Sequence, residues 1–425
     1  MQYPQPHTGS YYAASANEST DFAPLDGAVK ADVCVIGAGF TGISTALHLA
    51  ERGYDVHVVE ANKVGWGASG RNGGQMIGGI AGEKAMLKHH GAEIAGLLWE
   101  MRWAGNEIIR QRVQQYGIQC DLKAGYLDVA IKDRHVRALR EEYEYLKNNN
   151  FPHEFQIMSR QETRELIGTD AYIGALKIMG NGHLHPLNLC VGEAQAAVQQ
   201  GATIYEQSPV LDIEKSATPR VITENGSVSA DFVVLAGNAY QFLDKRLRSQ
   251  LFPVNSFIIA TEPLSDELIA EINPEDLAVC DPNFILEYFR LSADKRLLFG
   301  GRINYFGDDP EVIKMNLKPR MCRIYPQLAN IRIDYAWGGT IGVTLSRVPQ
   351  MGRIAPNIIY SQGYSGHGVN VTHLAGQILA DAIAGTLERF DVFARIKPIT
   401  VPGSGVFSKQ MVALGMVYYR LRDLL

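Results

Sequence analysis

Cysteine is scarce in this chain and poorly arranged for cross-linking. The five residues Cys34, Cys120, Cys190, Cys280 and Cys322 are odd in number, scattered, and form no C-x-x-C pair. That pattern argues against a disulfide framework and a zinc site, and it fits a reducing cytoplasm. Long apolar runs are missing too. No stretch reaches the roughly twenty apolar residues of a membrane span. The N-terminus, Met-Gln-Tyr-Pro-Gln-Pro-His, lacks the basic-then-apolar order of a secretory signal. Positive charge is not in excess: 40 basic against 45 acidic side chains leave a formal charge of −5. Nucleic acids and acidic membranes are therefore not expected partners. There is no internal repeat and no low-complexity tract. What remains, 46 % hydrophobic and 20 % charged over 425 residues, is an ordinary globular composition with room for two domains.

Glycine, in contrast, is plentiful and clustered. Residues 31–42 read Ala-Asp-Val-Cys-Val-Ile-Gly-Ala-Gly-Phe-Thr-Gly, a buried strand running into a glycine-rich turn. Gly37 permits the tight turn, Gly39 lets the backbone approach a pyrophosphate, and Gly42 lets helix and strand pack closely. A helix is predicted from about Thr41 to Arg52. Phe40 and Thr41 stand at its amino end, where free amides and the dipole favour a phosphate. A second strand, Asp55-Val-His-Val-Val-Glu60, ends on an acid just before Ala61. Its carboxylate can accept the hydroxyls of an adenosine ribose and would repel a 2′-phosphate, which disfavours NADP. A lone G-x-G-x-x-G is equally a plain strand-to-helix turn; the flanking strand, helix and acid-terminated second strand favour a dinucleotide. NAD and FAD both remain open on this unit.

The loop Gly65-Trp-Gly-Ala-Ser-Gly-Arg-Asn-Gly-Gly-Gln75 bears on that choice. A simple NAD dehydrogenase has no use for it here. FAD extends past its pyrophosphate and needs backbone close to the isoalloxazine, which glycines allow. Ser69 and Arg71 can offer a hydroxyl and a cation to the pyrophosphate. The alternative is a flexible surface loop.

Residues 1–30 read as a polar arm, and 83–116 carry apolar residues at helical spacing. Tyr126–Ile131 reads as a strand, and the charged run Arg134–Lys147 as an exposed helix with a solvated face. Pro186–Gln200 reads as another helix, its proline near the start. Strands are expected at Thr203–Tyr205, Val210–Ile213, Val221–Thr223 and Asp231–Gly237. Residues 251–345 look dominated by strand-like pieces. A further strand, Asn357–Ser361, leads into the turn Gly363-Tyr-Ser-Gly-His-Gly368 and a helix from about Thr372. The apolar segment Val412–Leu425 reads as a helix docked on its own protein, or lying on a membrane surface. Nucleotide-type elements thus recur at the start, middle and near the end. The expected class is α/β (α+β): a discontinuous Rossmann-like FAD-binding domain (1–90, 183–250, 352–400), a β-rich antiparallel-sheet substrate domain (91–182, 251–351), and a C-terminal helix (401–425).

On these motifs the chain resembles the FAD-dependent amino acid and amine oxidases typified by D-amino acid oxidase, glycine oxidase and sarcosine oxidase. The likeness spans essentially the whole chain. It is carried by Ser10-Tyr-Tyr-Ala-Ala-Ser-Ala-Asn17, Gly67-Ala-Ser-Gly-Arg-Asn-Gly-Gly-Gln75, Gly182-His-Leu-His-Pro-Leu-Asn-Leu189 and Gln362-Gly-Tyr-Ser-Gly-His-Gly-Val369. The resemblance implies FAD contacts at Gly37, Gly39, Phe40, Thr41, Gly42, Glu60 and Ala61. It adds the loop Gly67, Ala68, Ser69, Arg71, Asn72, Gly73, Gly74 and Gln75. Val210 would meet the adenine, Ala236 and Gly237 would close over the cofactor, and Gly366, His367, Gly368 and Val369 would face the flavin ring. The cysteine and histidine through which some relatives attach flavin are absent from the matching positions, so non-covalent FAD is expected.

The implied reaction is hydride transfer from an amine-bearing carbon to FAD, giving an imine that water hydrolyses to aldehyde and ammonia. The narrower likeness of the N-terminal octet and the His-x-His-Pro-Leu-Asn segment implies γ-glutamylputrescine or a related γ-glutamylated polyamine as substrate, within polyamine catabolism. Oxygen, yielding peroxide, or a quinone is the acceptor. Such a site needs chiefly an aromatic-walled pocket that positions the C–H bond. Tyr288, Phe289, Trp337 and Tyr364 are candidate walls, with core packing as the alternative, and His367 is a catalytic candidate. Glu287 could hold an ammonium, and Arg290, Arg302 or Arg347 a carboxylate. His183 and His185, beside a helix entry, favour a structural role. Oxidation of an amino acid or N-methylated amine, and flavin binding without turnover, stand as alternatives.

Overall fold

The computed structural model describes residues 4–241, 243–283, 286–304 and 309–400, with the side chains of 302–304 left out. The expected C-terminal helix over 401–425 lies outside the described residues, as does the side chain of Arg302.

Two sheets organise the chain. The first has eight strands among the described residues, with the path Gln350–Ala355, Ile358–Gln362, Gly226–Leu235, Gly27–Ile36, Val56–Val59, Thr203–Tyr205. Its centre is parallel, from Ile358–Gln362 to Thr203–Tyr205. Parallel strands are covered on both faces and are therefore apolar throughout. Val33 and Val35 enter the core beneath the helices, while Cys34 and Ile36 enter the opposite core with Ile213 and Val221. Helices Phe40–Ala50, Ala95–Tyr116, Pro186–Gln199 and Gly368–Ile383 pack together on the first of these faces.

The second sheet has nine strands among the described residues, on the path Ile333–Val343, Phe252–Thr261, Leu297–Asn304, Glu287–Leu291, Ala278–Cys280, Lys123–Ala130, Gly174–His183, Gln75–Met76. Every pairing is antiparallel except that of Ala278–Cys280 with Lys123–Ala130. The region expected to be strand-dominated also holds the helix Pro310–Ile324. Pro319 sits inside it, which hides the helix from a propensity reading. Ile313, Leu317, Met321 and Ile324 nevertheless keep helical spacing and bury one face in the second core. The strand expected from Val210 begins at Asp212, leaving Val210 on the connection before it.

Candidate flavin and amine site

The strand Gly27–Ile36 ends at Gly37, whose φ of +105° is open to glycine at little cost. A Cβ on Gly42 would lie 1.8 Å from the Gly37 carbonyl oxygen, so strand, turn and helix are in backbone contact. Gly39 caps the helix Phe40–Ala50 without a side chain. Ser69 accepts the Phe40 amide at 2.9 Å, which places its hydroxyl over the helix N-terminus. Glu60 ends the second strand, accepting from the amides of Ala38 (2.7 Å) and Asn62 (2.9 Å). Burial pushes its carboxyl above the usual range, against the pull of those amides.

The Gly67–Gln75 loop is held from both sides. Asn72 donates to the carbonyls of Ala68 and Ser69 and accepts from the Gly74 amide. The Arg71 guanidinium lies 4.3 Å from the centre of the Trp66 ring and donates to the Trp66 carbonyl. Tyr288 presses against Gly73, where an added Cβ would come within 2.5 Å of the ring. Tyr364 joins the third glycine turn to the first helix, its hydroxyl 2.7 Å from both Thr41 Oγ1 and Ser361 Oγ. Burial raises that phenol to about 12. His367 precedes the helix Gly368–Ile383 and donates from Nε2 to the Gly78 carbonyl at 3.2 Å. Burial, then Arg102 and Arg347, lower its pKa, so the ring is neutral at pH 7.

These elements surround one cavity of about 1490 Å³, beyond the usual range for a small ligand. Gly37, Gly39, Phe40, Thr41, Glu60, Ala61, Gly67, Ala68, Ser69, Arg71, Asn72, Gly73, Gln75, Val210, Ala236, Gly237, Tyr288, Tyr364, Gly366, His367, Gly368 and Val369 line it. Gly42, Gly74, Phe289 and Trp337 do not. Trp337 lies behind the loop, donating to the Arg71 carbonyl and meeting the Tyr12 ring edge-on. Phe289 is buried in the second core.

The charged candidates separate in the same way. Glu287 pairs with Arg320 and Arg323. Arg347 lines the cavity and donates to the Ser365 carbonyl. Arg290 is buried and donates to the carbonyls of Gly73 (2.8 Å), Leu184 (2.7 Å) and Leu291 (2.8 Å), and to Tyr12. Its donors brace the glycine loop. Arg290→Met should orphan these carbonyls and weaken flavin retention at least about tenfold, from the 1–3 kcal/mol cost of each unmade bond. The flavin-to-protein absorbance ratio after desalting checks it. His185 caps the helix Pro186–Gln199, accepting from the Asn188 amide, and His183 faces the Asp276 carbonyl. Burial, then Arg290, lowers them to about 3 and about 4, so both are neutral structural groups.

The cavity also reaches residues the sequence reading passed over. His135, Ala138, Leu139, Glu142 and Tyr145 project into it from the helix Asp133–Asn148, which was expected to present a solvated face. Their three- and four-residue spacing was the available signal. Asp128, Arg102 and Trp103 complete that end.

The sequence model described as FAD dependent oxidoreductase matches residues 32–382. The chain belongs to that FAD-dependent oxidoreductase family. This oxidoreductase is 42% identical over 420 residues to γ-glutamylputrescine oxidoreductase of Escherichia coli K12, covering 98% of each chain. It is also 42% identical to the probable oxidoreductase OrdL of Haemophilus influenzae, over 99% of this chain and 98% of that one. Among solved structures, glycine oxidase from Geobacillus kaustophilus shares the fold, with a TM-score of 0.70 at 21% identity over 85% of this chain and 98% of that one. The cradle of the oxidoreductase suits FAD: side chains are excluded where Gly37, Gly42 and Gly73 approach neighbouring groups, and an acid and a helix N-terminus flank the cavity.

Proposed function

We propose that this oxidoreductase oxidises the primary amine of γ-glutamylputrescine, or a close γ-glutamylated polyamine, to an aldehyde in the cytoplasm, with FAD held non-covalently. The near full-length 42% identity to γ-glutamylputrescine oxidoreductase carries this reading. Glu60 would hold the adenosine ribose, the Gly37–Gly42 turn and Ser69 the pyrophosphate, and the turn Gly366–Val369 the ring. Residues 91–182 and 251–351 would supply most of the substrate side. When bound, FAD supplies a two-electron acceptor for the hydride of the amine-bearing carbon. The chain's own part is to orient and to exclude water. Tyr288 and Ile258 give apolar surface beside the loop, and His367 holds the Gly78 carbonyl in place. The N-terminus of Gly368–Ile383 favours negative charge at the turn. Overall, amine, oxygen and water give aldehyde, ammonia and hydrogen peroxide.

Anaerobic mixing with γ-glutamylputrescine should bleach the bound flavin, and readmitted oxygen should restore the colour with peroxide. Bleaching by free amino acids or N-methylated amines instead would overturn the substrate. Recovery only with a quinone would overturn oxygen as acceptor. An unbleached flavin throughout would mark a protein that binds without turnover.

A further inference from the structure

A carboxylate of the second sheet faces the cavity without a counter-charge among the described residues. Asp128 lies on the strand Lys123–Ala130 and lines the cavity, with no hydrogen-bond donor or cation against it among the described residues. The charges that act on it are those of the acids Glu142 and Asp281, and Glu83, Glu141 and Glu142 line the same cavity. Arg102 is committed elsewhere, bonded to Glu142 at 2.6 Å and 3.8 Å from Glu83. Asp128 is half-buried, and a carboxylate drawn partly out of water without a partner is favoured by a ligand that brings the opposite charge. Its titration fits: burial, then the charges of Glu142 and Asp281, push this carboxyl up to about 7.

Strand register fixes how far this group lies from the cofactor loop. Tyr288 pairs with Cys280, and Cys280 pairs with Asp128, so the three side chains share one face of the sheet. All three line the cavity. Tyr288 is the ring that touches Gly73. Two strand spacings separate it from Asp128, about 10 Å. In γ-glutamylputrescine the chain from the reacting carbon to the glutamyl α-carbon is as long as three residues of extended backbone, also roughly 10 Å.

We propose that Asp128 binds the non-reacting α-ammonium group of the substrate, so that the enzyme selects amines carrying a second cationic centre at the far end of an extended chain. This rests on the proposed substrate and adds the residue that reads its remote end. An ammonium beside Asp128 replaces the missing counter-charge and holds the carboxyl ionised. The opposite, reacting amine is left against the loop and Tyr288, where it can be neutral.

The test compares γ-glutamylputrescine with N-glutarylputrescine, which keeps the reacting amine and the carboxylate but lacks the α-ammonium. Wild type should show a KM at least about tenfold lower for the glutamyl compound, the scale of one charged hydrogen bond. Asp128→Asn should remove that preference by raising the glutamyl KM alone, with kcat for both nearly unchanged. Asp128→Glu, which keeps the charge, should restore part of it. Flavin content and urea midpoints establish that each variant is folded. Equal KM losses for both compounds, no loss for either, or no preference in wild type would each overturn the assignment. If neither compound reduces the wild-type flavin, the substrate reading itself falls. Calorimetry with the putrescine dication then decides the site: binding lost in Asp128→Asn upholds a cation site, and absence of binding in wild type removes it.

Discussion

Replacing Glu193 by alanine is expected to destabilise the fold by about 3–5 kcal/mol, the cost of breaking a buried ion pair on one side. Glu193 is fully buried on the helix Pro186–Gln199. It accepts from Arg112 at 2.9 Å and faces His373 Nε2 at 3.0 Å. Arg112 belongs to Ala95–Tyr116 and also donates to the hydroxyl and carbonyl of Ser44 on Phe40–Ala50. His373 belongs to Gly368–Ile383. One carboxylate therefore ties four helices, two of which begin at the proposed cofactor turns. The alanine variant strands the Arg112 cation in an apolar interior. Urea denaturation at neutral pH measures the loss, and a change below about 1 kcal/mol would show that the helices hold without the triad.

The same group predicts a pH dependence. Burial alone would raise the Glu193 carboxyl, but His373 and then Arg112 outweigh it and draw it from 4.5 to about 2. A depressed folded-state pKa contributes stability that is present above the unfolded value and lost as pH falls through the folded one. Wild type should therefore lose this contribution between about pH 4.5 and 2, and the Glu193→Ala variant should show a flatter acid limb.

Gly42→Ala is expected to yield a protein purified largely without flavin. The added methyl would sit 1.8 Å from Gly37 O, 3.0 Å from Gly37 C and 3.3 Å from Val35 Cγ1. The first two are backbone atoms of the turn itself, so relief requires opening the strand–turn–helix contact. Overpacking of this kind costs about 1–3 kcal/mol in stability, and the same displacement moves the amides meant for a pyrophosphate. Gly96→Ala is the control, since a Cβ there meets nothing within 4 Å and the site is helical. It should retain full flavin and gain up to about 1 kcal/mol from helix propensity. Equal flavin occupancy in both variants would sink the cradle assignment.

The glycine cradle was legible because its determinants are local. Steric freedom at Gly37 and the acid ending the second strand are properties of a few consecutive residues, and they mark a dinucleotide site before any packing is known. The parallel strands were legible for a related reason: burial on both faces demands continuous apolar sequence. The helix Pro310–Ile324 was not, since Pro319 contradicts local propensity and only the packing of Ile313, Leu317 and Met321 against the second sheet overrules it.

The substrate end shows the boundary most sharply. Arg290 and Glu287 had the right charge to meet a ligand, yet Arg290 is spent on three carbonyls and Glu287 on Arg320 and Arg323. Trp337 had the right ring and faces Tyr12 behind the loop. Asp128 and Arg102 drew no notice, because an acid in a strand and an arginine in a helix are unremarkable until the sheet register and helix Asp133–Asn148 bring them to one cavity. The sequence by itself determined the nucleotide-binding unit, written in short-range spacing; the order of elements along the chain gave the class, and the resemblance to the flavin-dependent amine oxidases gave the cofactor chemistry. Only the tertiary structure decided which charges neutralise one another and which remain for a ligand, because ion pairing depends on distances between residues far apart in the chain.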